Sequence, residues 1–251
     1  MALKILLIIL VVYSLALAFA MARKAPSRKS TKPISRGWGN RMRVLVIGAT
    51  VGTGRQLVRQ ALDLGHEVTA LVRRPKKLKI EHPRLRVVKG NVLDYASAES
   101  AMQGQNVVVC ALGTKRFLFP TRTLSEGTRN ILRAMKACNV PRLICESSLG
   151  VGSSVGRLGV LFTFFVVPVI LPFIFWDKIR QEKLIEESDA DWLIVRPGVL
   201  TNSDARGTYR HGPNLGNFLW SVRISRADVA DFMLKQLTDD SLLGTAQAVC
   251  W

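Results

Sequence analysis

Acidic side chains are missing from the first 43 residues, although that stretch carries nine Lys or Arg: Lys4, Arg23, Lys24, Arg28, Lys29, Lys32, Arg36, Arg41 and Arg43. Half of the net charge of +18 therefore sits there, leaving +9 on the remaining 208 residues. Histidine is scarce. His66, His82 and His211 are scattered and form no ligand spacing, so no metal centre is expected. Cys110, Cys138, Cys145 and Cys250 show no C-x-x-C spacing; three fall on or beside predicted core elements, and they read as reduced thiols. Zinc-finger spacing, an RNA-recognition aromatic motif and a helix-turn-helix pair are also absent, so the basicity is not read as nucleic-acid binding. No repeat at a solenoid period is visible. With 251 residues, the chain is long enough for one well-buried domain of the larger α/β type.

What is present begins with an apolar run. Residues 5–22 are eighteen residues without a charge, near the lower limit for a membrane-spanning helix. Only Lys4 and the α-amino group precede them, whereas seven Lys or Arg lie in residues 23–41. That asymmetry predicts an N-terminal single-pass membrane anchor over 1–22 with the large domain on the cytoplasmic side. A cleaved signal peptide with Ala18-Phe19-Ala20 as its small-x-small site is the second reading, leading to export. An organellar transit peptide is the third. Residues 23–42 read as a basic linker lying along anionic headgroups.

Residues 43–54, RVLVIGATVGTG, carry the strongest signal. Arg43 to Ile47 is a buried-strand run, residues 48–54 a small-residue loop, and Arg55 to Leu62 has helical periodicity. Strand, glycine loop and helix hold a dinucleotide pyrophosphate, because glycines let the backbone approach and the first helical turn offers free N–H groups. The spacing is irregular: a G-x-x-G-x-x-G pattern wants glycine at 48, 51 and 54, and Val51 occupies the middle place with Gly52 beside it. Further strands are predicted over 67–72, 84–89, 106–112, 141–146 and 192–196. Helices are predicted over 53–64, 95–103, 122–138, 176–188 and 226–237, the last with Ser225 as its cap and the first stopped by Gly65. Repeated β–α units over 43–251 predict an α/β fold, a Rossmann-like doubly wound parallel sheet with helices on both faces.

The second strand ends in Leu71-Val72-Arg73-Arg74-Pro75-Lys76-Lys77, where an NAD site would place an acid for the ribose hydroxyl. Arginines there match a 2′-phosphate, so NADP(H) is the expected cofactor. Residues 158–176 hold no charge in nineteen positions. A second span there would put the fifth and sixth strands on opposite sides of a bilayer. The segment reads instead as an apolar lid that can touch the membrane, with an oligomer interface or core filling as the alternatives.

Taken in order, Gly48-Ala49-Thr50, Leu71-Val72-Arg73-Arg74, Gly90-Asn91-Val92-Leu93, Ala111-Leu112-Gly113-Thr114, Ser125-Glu126-Gly127-Thr128-Arg129-Asn130, Ser147-Ser148-Leu149-Gly150-Val151 and Val195-Arg196-Pro197-Gly198 resemble the atypical short-chain dehydrogenase/reductases of the NmrA-like group. Within that group the flavin reductase/biliverdin-IXβ reductase type is most similar. The resemblance implies that Gly48, Thr50, Gly52, Thr53 and Gly54 cradle the pyrophosphate. It gives the 2′-phosphate to Arg73, Arg74 and Lys77, and the adenine to Asn91 and Val92. Leu112, Gly113, Thr114, Ser147, Ser148, Pro197, Gly198 and Val199 then lie on the nicotinamide side. Two departures stand out. Ile174 lies four residues before Lys178 where a Tyr-x-x-x-Lys pair would need tyrosine, and no histidine follows Pro197. Ser147, Ser148 and Lys178 are thus the candidate catalytic residues. The expected activity is an NAD(P)H-dependent reductase of a flavin-, quinone- or tetrapyrrole-like acceptor. The alternative is a non-catalytic NADP(H)-binding redox sensor or assembly factor.

Overall fold

A computed structural model describes residues 41–114 and 119–251. The anchor expected over 1–22 and nearly all of the linker lie outside the described residues. Eight strands form one sheet in the order β3-β2-β1-β4-β5-β6-β10-β8. These are β1 (Arg43–Ile47), β2 (Glu67–Val72), β3 (Leu85–Lys89), β4 (Val107–Cys110), β5 (Arg142–Glu146), β6 (Asp191–Pro197), β8 (Arg210–Gly212) and β10 (Thr245–Cys250). Every pairing is parallel except β8 against β10. A separate two-stranded ribbon pairs β7 (Val199–Thr201) with β9 (Arg223–Ser225).

Among the described residues, five α-helices cover the sheet: α1 (Gly52–Asp63), α2 (Tyr95–Met102), α3 (Thr123–Ala137), α4 (Pro172–Glu186) and α5 (Arg226–Lys235). Alternation in β1 divides the core. Val44 and Val46 join Leu57, Val58, Phe232 and Met233 beneath α1 and α5. Leu45 and Ile47 point the other way, into a cluster with Cys110, Ile131, Met135, Ile185 and Trp192. Strands buried on both faces explain why the sequence shows continuous apolar runs rather than alternation. Ser225 caps α5, accepting from the Asp228 backbone at 3.0 Å and donating to its carboxylate at 2.8 Å.

The element prediction differs from the structure at the lid. A π-helix, Phe162–Ile170, fills nine of residues 158–176, and α4 starts at Pro172 rather than at 176. The two meet at a 97° break. Proline at the first helical position costs no hydrogen bond, so Pro172 begins a helix. Among the described residues no single helix is long and apolar enough to cross a membrane. The fifth and sixth strands stay paired, in register from Arg142–Asp191 to Glu146–Val195.

Candidate cofactor and acceptor site

The strand order reverses between β1 and β4, and the glycine loop lies at that switch point. Gly48 adopts φ +86, and a Cβ there would stand 2.2 Å from the Ala111 carbonyl oxygen at the end of β4. Gly54 lies as close to the Gly48 carbonyl, which lets α1 settle onto β1. These are the first and last glycines of the expected pattern. The displaced middle one is accommodated by the backbone. Val51 is extended and exposed ahead of α1, while Gly52 takes the left-handed conformation, φ +59, with the Arg226 side chain 3.3 Å from where its Cβ would be. No side chain caps α1 and no acid lies in its first turn, so its leading N–H groups are left for an anion.

Thr50 stands half-exposed in the loop, whereas Thr53 is buried and donates through Oγ1 to Glu146 at 2.8 Å. Arg73 and Arg74 are exposed just past β2, and no ion pair engages them among the described residues. Lys77 closes a short 3-10 turn beside them. The Asn91 carboxamide accepts from the Leu93 backbone at 3.3 Å. Val92 is buried and its carbonyl accepts from Asn130 at 2.9 Å, while Gly127 lets α3 approach its side chain. The Ser-Glu-Gly-Thr-Arg-Asn stretch thus fastens α3 to the adenine-side loop. Leu112, Gly113 and Thr114 follow β4, with Leu112 packed near Gly127.

The paired serines are not equivalent. Ser148 donates its hydroxyl to the Leu149 carbonyl at 3.1 Å. Ser147 is 4% exposed and its Oγ has no partner among the described residues, although its backbone N–H donates to Val195 at 2.7 Å. Pro197 accepts from the Leu149 N–H at 2.9 Å and Gly198 donates to Val249 at 3.0 Å, which fixes the end of β6 beside Ser147; Val199 then opens β7.

Charge gathers at the same strand ends. Burial raises the Glu146 carboxyl, while Lys178, the Thr53 hydroxyl and Arg226 pull it back. Lys178 also acts on Cys110 and Cys145, register partners at the ends of β4 and β5. The hydrogen bond with Cys110, together with burial, pushes the Cys145 thiol well up. The cysteines are free thiols: Cys110 and Cys145 are buried on predicted strands, Cys138 is half-buried, and Cys250 is buried on a strand that the sequence did not mark; no cluster fit for a metal occurs among the described residues. Two groups that the sequence reading passed over belong here. Glu146 lies 93 positions from its partner Thr53, and Arg226 reaches Gly52 from the far end of the chain. Neither long-range contact leaves a local signature.

Asp177 locks the helix starts above the sheet. Its carboxylate accepts from the Leu124 backbone at 2.8 Å, from the Ser125 backbone at 3.1 Å and from the Ser125 hydroxyl at 2.5 Å. Nearby, Pro120, Thr121 and Arg122 face Phe173, Trp176 and Arg180 across a cavity of about 370 Å³.

Residues 48–240 match the model of the NAD(P)H-binding family. The chain belongs to this family. Among known proteins it is 29% identical over 207 residues to an uncharacterised chloroplastic protein of Arabidopsis thaliana, covering 79% of this chain and 72% of that one. It is 32% identical over 115 residues to the photosystem II assembly factor Ycf39 of Synechocystis, covering 43% and 34%. It is 26% identical over 215 residues to the chloroplastic protein TIC 62 of Arabidopsis thaliana, covering 76% and 32%. The chain therefore spans about a third of the last two. A Rossmann-fold NAD(P)-binding protein from Shigella flexneri superposes with a TM-score of 0.62 at 26% identity, covering 83% of this chain and 92% of that one. ChuY, an anaerobilin reductase from Escherichia coli, shares the fold with a TM-score of 0.68 at 20% identity, covering 83% and 96%. Family membership makes NAD(P)H the cofactor. The residues fit it: a glycine loop whose displaced middle glycine, Gly52, lies beside Arg226, an uncapped helix start, and an orphaned hydroxyl at the strand ends.

Proposed function

We propose that this protein is an NADPH-dependent reductase of a planar, flavin-, quinone- or tetrapyrrole-like acceptor. The observation that carries the reading is the buried, unpartnered Ser147 hydroxyl at the end of β5. A buried hydroxyl without a partner costs free energy, and a ligand that accepts its hydrogen bond recovers it. Bound NADPH supplies the hydride. The Ser147 hydroxyl donates to the acceptor heteroatom that gains electron density, and the Lys178 ammonium lends positive charge to the same end of the sheet. Arg226 and the first turn of α1 hold the pyrophosphate, and Arg73 and Arg74 hold the 2′-phosphate. Phe173 and Trp176, T-stacked at 6.2 Å, with Arg122 and Arg180 beside them, offer a flat ring and its acidic substituents a matching wall.

A flavin, quinone or linear tetrapyrrole suits this site because such rings take up hydride without a strong general acid, which the chain lacks at both familiar places. The same lack favours one other reading, a non-catalytic NADP(H)-binding sensor or assembly factor, and the likeness to an assembly factor supports it. The chloroplastic names of two relatives favour an organellar transit reading of residues 1–42 over export.

The deciding experiment measures NADPH binding by fluorescence and its oxidation with a panel of flavin, quinone and tetrapyrrole acceptors. Ser147→Ala should lower kcat about 100-fold with the best acceptor and leave the NADPH Kd within about threefold. An unchanged kcat removes Ser147 from the chemistry. Tight NADPH binding with no acceptor reduced selects the sensor reading.

A further inference from the structure

The lid continues into a second segment that the sequence does not connect to it. Leu158 forms an isolated parallel bridge with Asn217. Gly159 donates to the Asn217 carbonyl at 2.9 Å, and Asn217 donates back to the Arg157 carbonyl at 2.8 Å. Both glycines at this crossing are required. A Cβ on Gly159 would stand 2.8 Å from the Ser221 nitrogen, and one on Gly216 would stand 2.5 Å from the Arg157 carbonyl oxygen. The Asn217 side chain then accepts from the Leu219 and Trp220 backbones at 2.8 and 3.0 Å, a turn that turns those side chains outward. Phe164 of the π-helix meets Phe218 edge-on at 6.4 Å.

The result is a fastened platform with two apolar sides. Val167 and Pro168 face inward, Val167 packing in a cluster with Leu149, Val151, Leu158 and Phe175. The outer side is apolar too. Trp220 is 74% exposed, Leu161 and Leu219 63%, Phe164 56%, Phe218 55% and Phe165 53%. A water-facing surface would carry polar groups here, and a contiguous apolar patch marks a contact site. Its electrostatics narrow the partner. No Asp or Glu occurs from Ser147 to Trp176 or from Ala205 to Ala227, while these stretches hold Arg157, Arg206, Arg210, Arg223 and Arg226. A second copy of this chain, with its own excess of positive charge, would meet like charge, whereas an anionic surface is attracted. Leucine, phenylalanine and tryptophan projecting from two segments that hold arginine and no acid suit the boundary between lipid headgroups and acyl chains.

We propose that Leu161, Phe164, Phe165, Phe218, Leu219 and Trp220 dock the domain onto an anionic lipid bilayer. The docking is peripheral and stands apart from the acceptor's identity.

The test uses the full chain with vesicles of phosphatidylglycerol and phosphatidylcholine whose acyl chains are brominated, and takes the Trp220 emission as the difference between the wild-type and Trp220→Phe proteins. Without vesicles this emission should be quenched by iodide. With vesicles it should be quenched by the brominated chains and shielded from iodide. Phe164→Ser with Phe165→Ser should abolish that change while NADPH binding and circular dichroism hold. Phosphatidylcholine alone should give about tenfold weaker shielding. Trp220 that remains open to iodide on vesicles overturns the proposal, as does shielding without vesicles that tracks a dimer in sedimentation. Equal shielding on phosphatidylcholine alone overturns the anionic assignment.

Discussion

Two adjacent guanidinium groups at the end of β2, with no counter-ion among the described residues, are costly to hold side by side unless an anion joins them. Arg73 and Arg74 are placed to bind the phosphate that distinguishes NADPH from NADH, and each charge-assisted hydrogen bond contributes about 1.5–3 kcal/mol. Replacing both with alanine should raise the NADPH Kd at least about 30-fold and the NADH Kd less than about threefold, read by fluorescence titration. Equal losses for the two cofactors would contradict the assignment. These arginines were legible in the sequence because they follow one strand after the glycine loop. The division of labour between Ser147 and Ser148 was not. Adjacent serines look alike until the fold satisfies one hydroxyl with the Leu149 carbonyl and leaves the other orphaned. Glu146 was hidden for another reason: its partner Thr53 reaches it only across the switch point.

Between elements, Asp177 joins α4 to the start of α3. The residue is fully buried, and three of its accepted hydrogen bonds come from the first turn of its neighbour. Asp177→Ala leaves two backbone N–H groups and a hydroxyl unsatisfied. The cost should be about 3 kcal/mol, a fall in Tm of roughly 6–12 °C for a domain of this size, seen by thermal melting with the far-ultraviolet spectrum otherwise preserved. An unchanged Tm would mean that water reaches the joint. Long periodic elements were legible: β1, β2, α1, α3 and α5 lie within a residue or two of their predicted bounds. The lid was legible only as an apolar tract. Two prolines obscured its helices, since Pro168 lies inside the π-helix and Pro172 begins α4. Strands β7, β8 and β9 have three residues each, too few to display a period.

At the scale of the whole molecule, the parallel order was readable from β–α alternation, but its closure was not. The last strand, β10, inserts between β6 and β8, and the Trp251 indole just beyond it donates to Asp228 at 2.9 Å. Thr-Ala-Gln-Ala-Val-Cys carries small side chains and little periodic contrast, so nothing marked it as a central strand. A chain ending at Leu243 should lose its single cooperative thermal transition, because β6 would lose a neighbour and Asp228 a partner. A melt within a few degrees of the full chain would refute this. The two rims of the sheet share a further property. One ends on β3, whose Arg86 and Lys89 are exposed, and the other on β8, three residues long and headed by Arg210. Short or cationic rims offer poor templates for strand addition. The backbone ladder therefore stops at its own borders, and concentrated protein should resist the fibrillar growth to which open parallel sheets are prone.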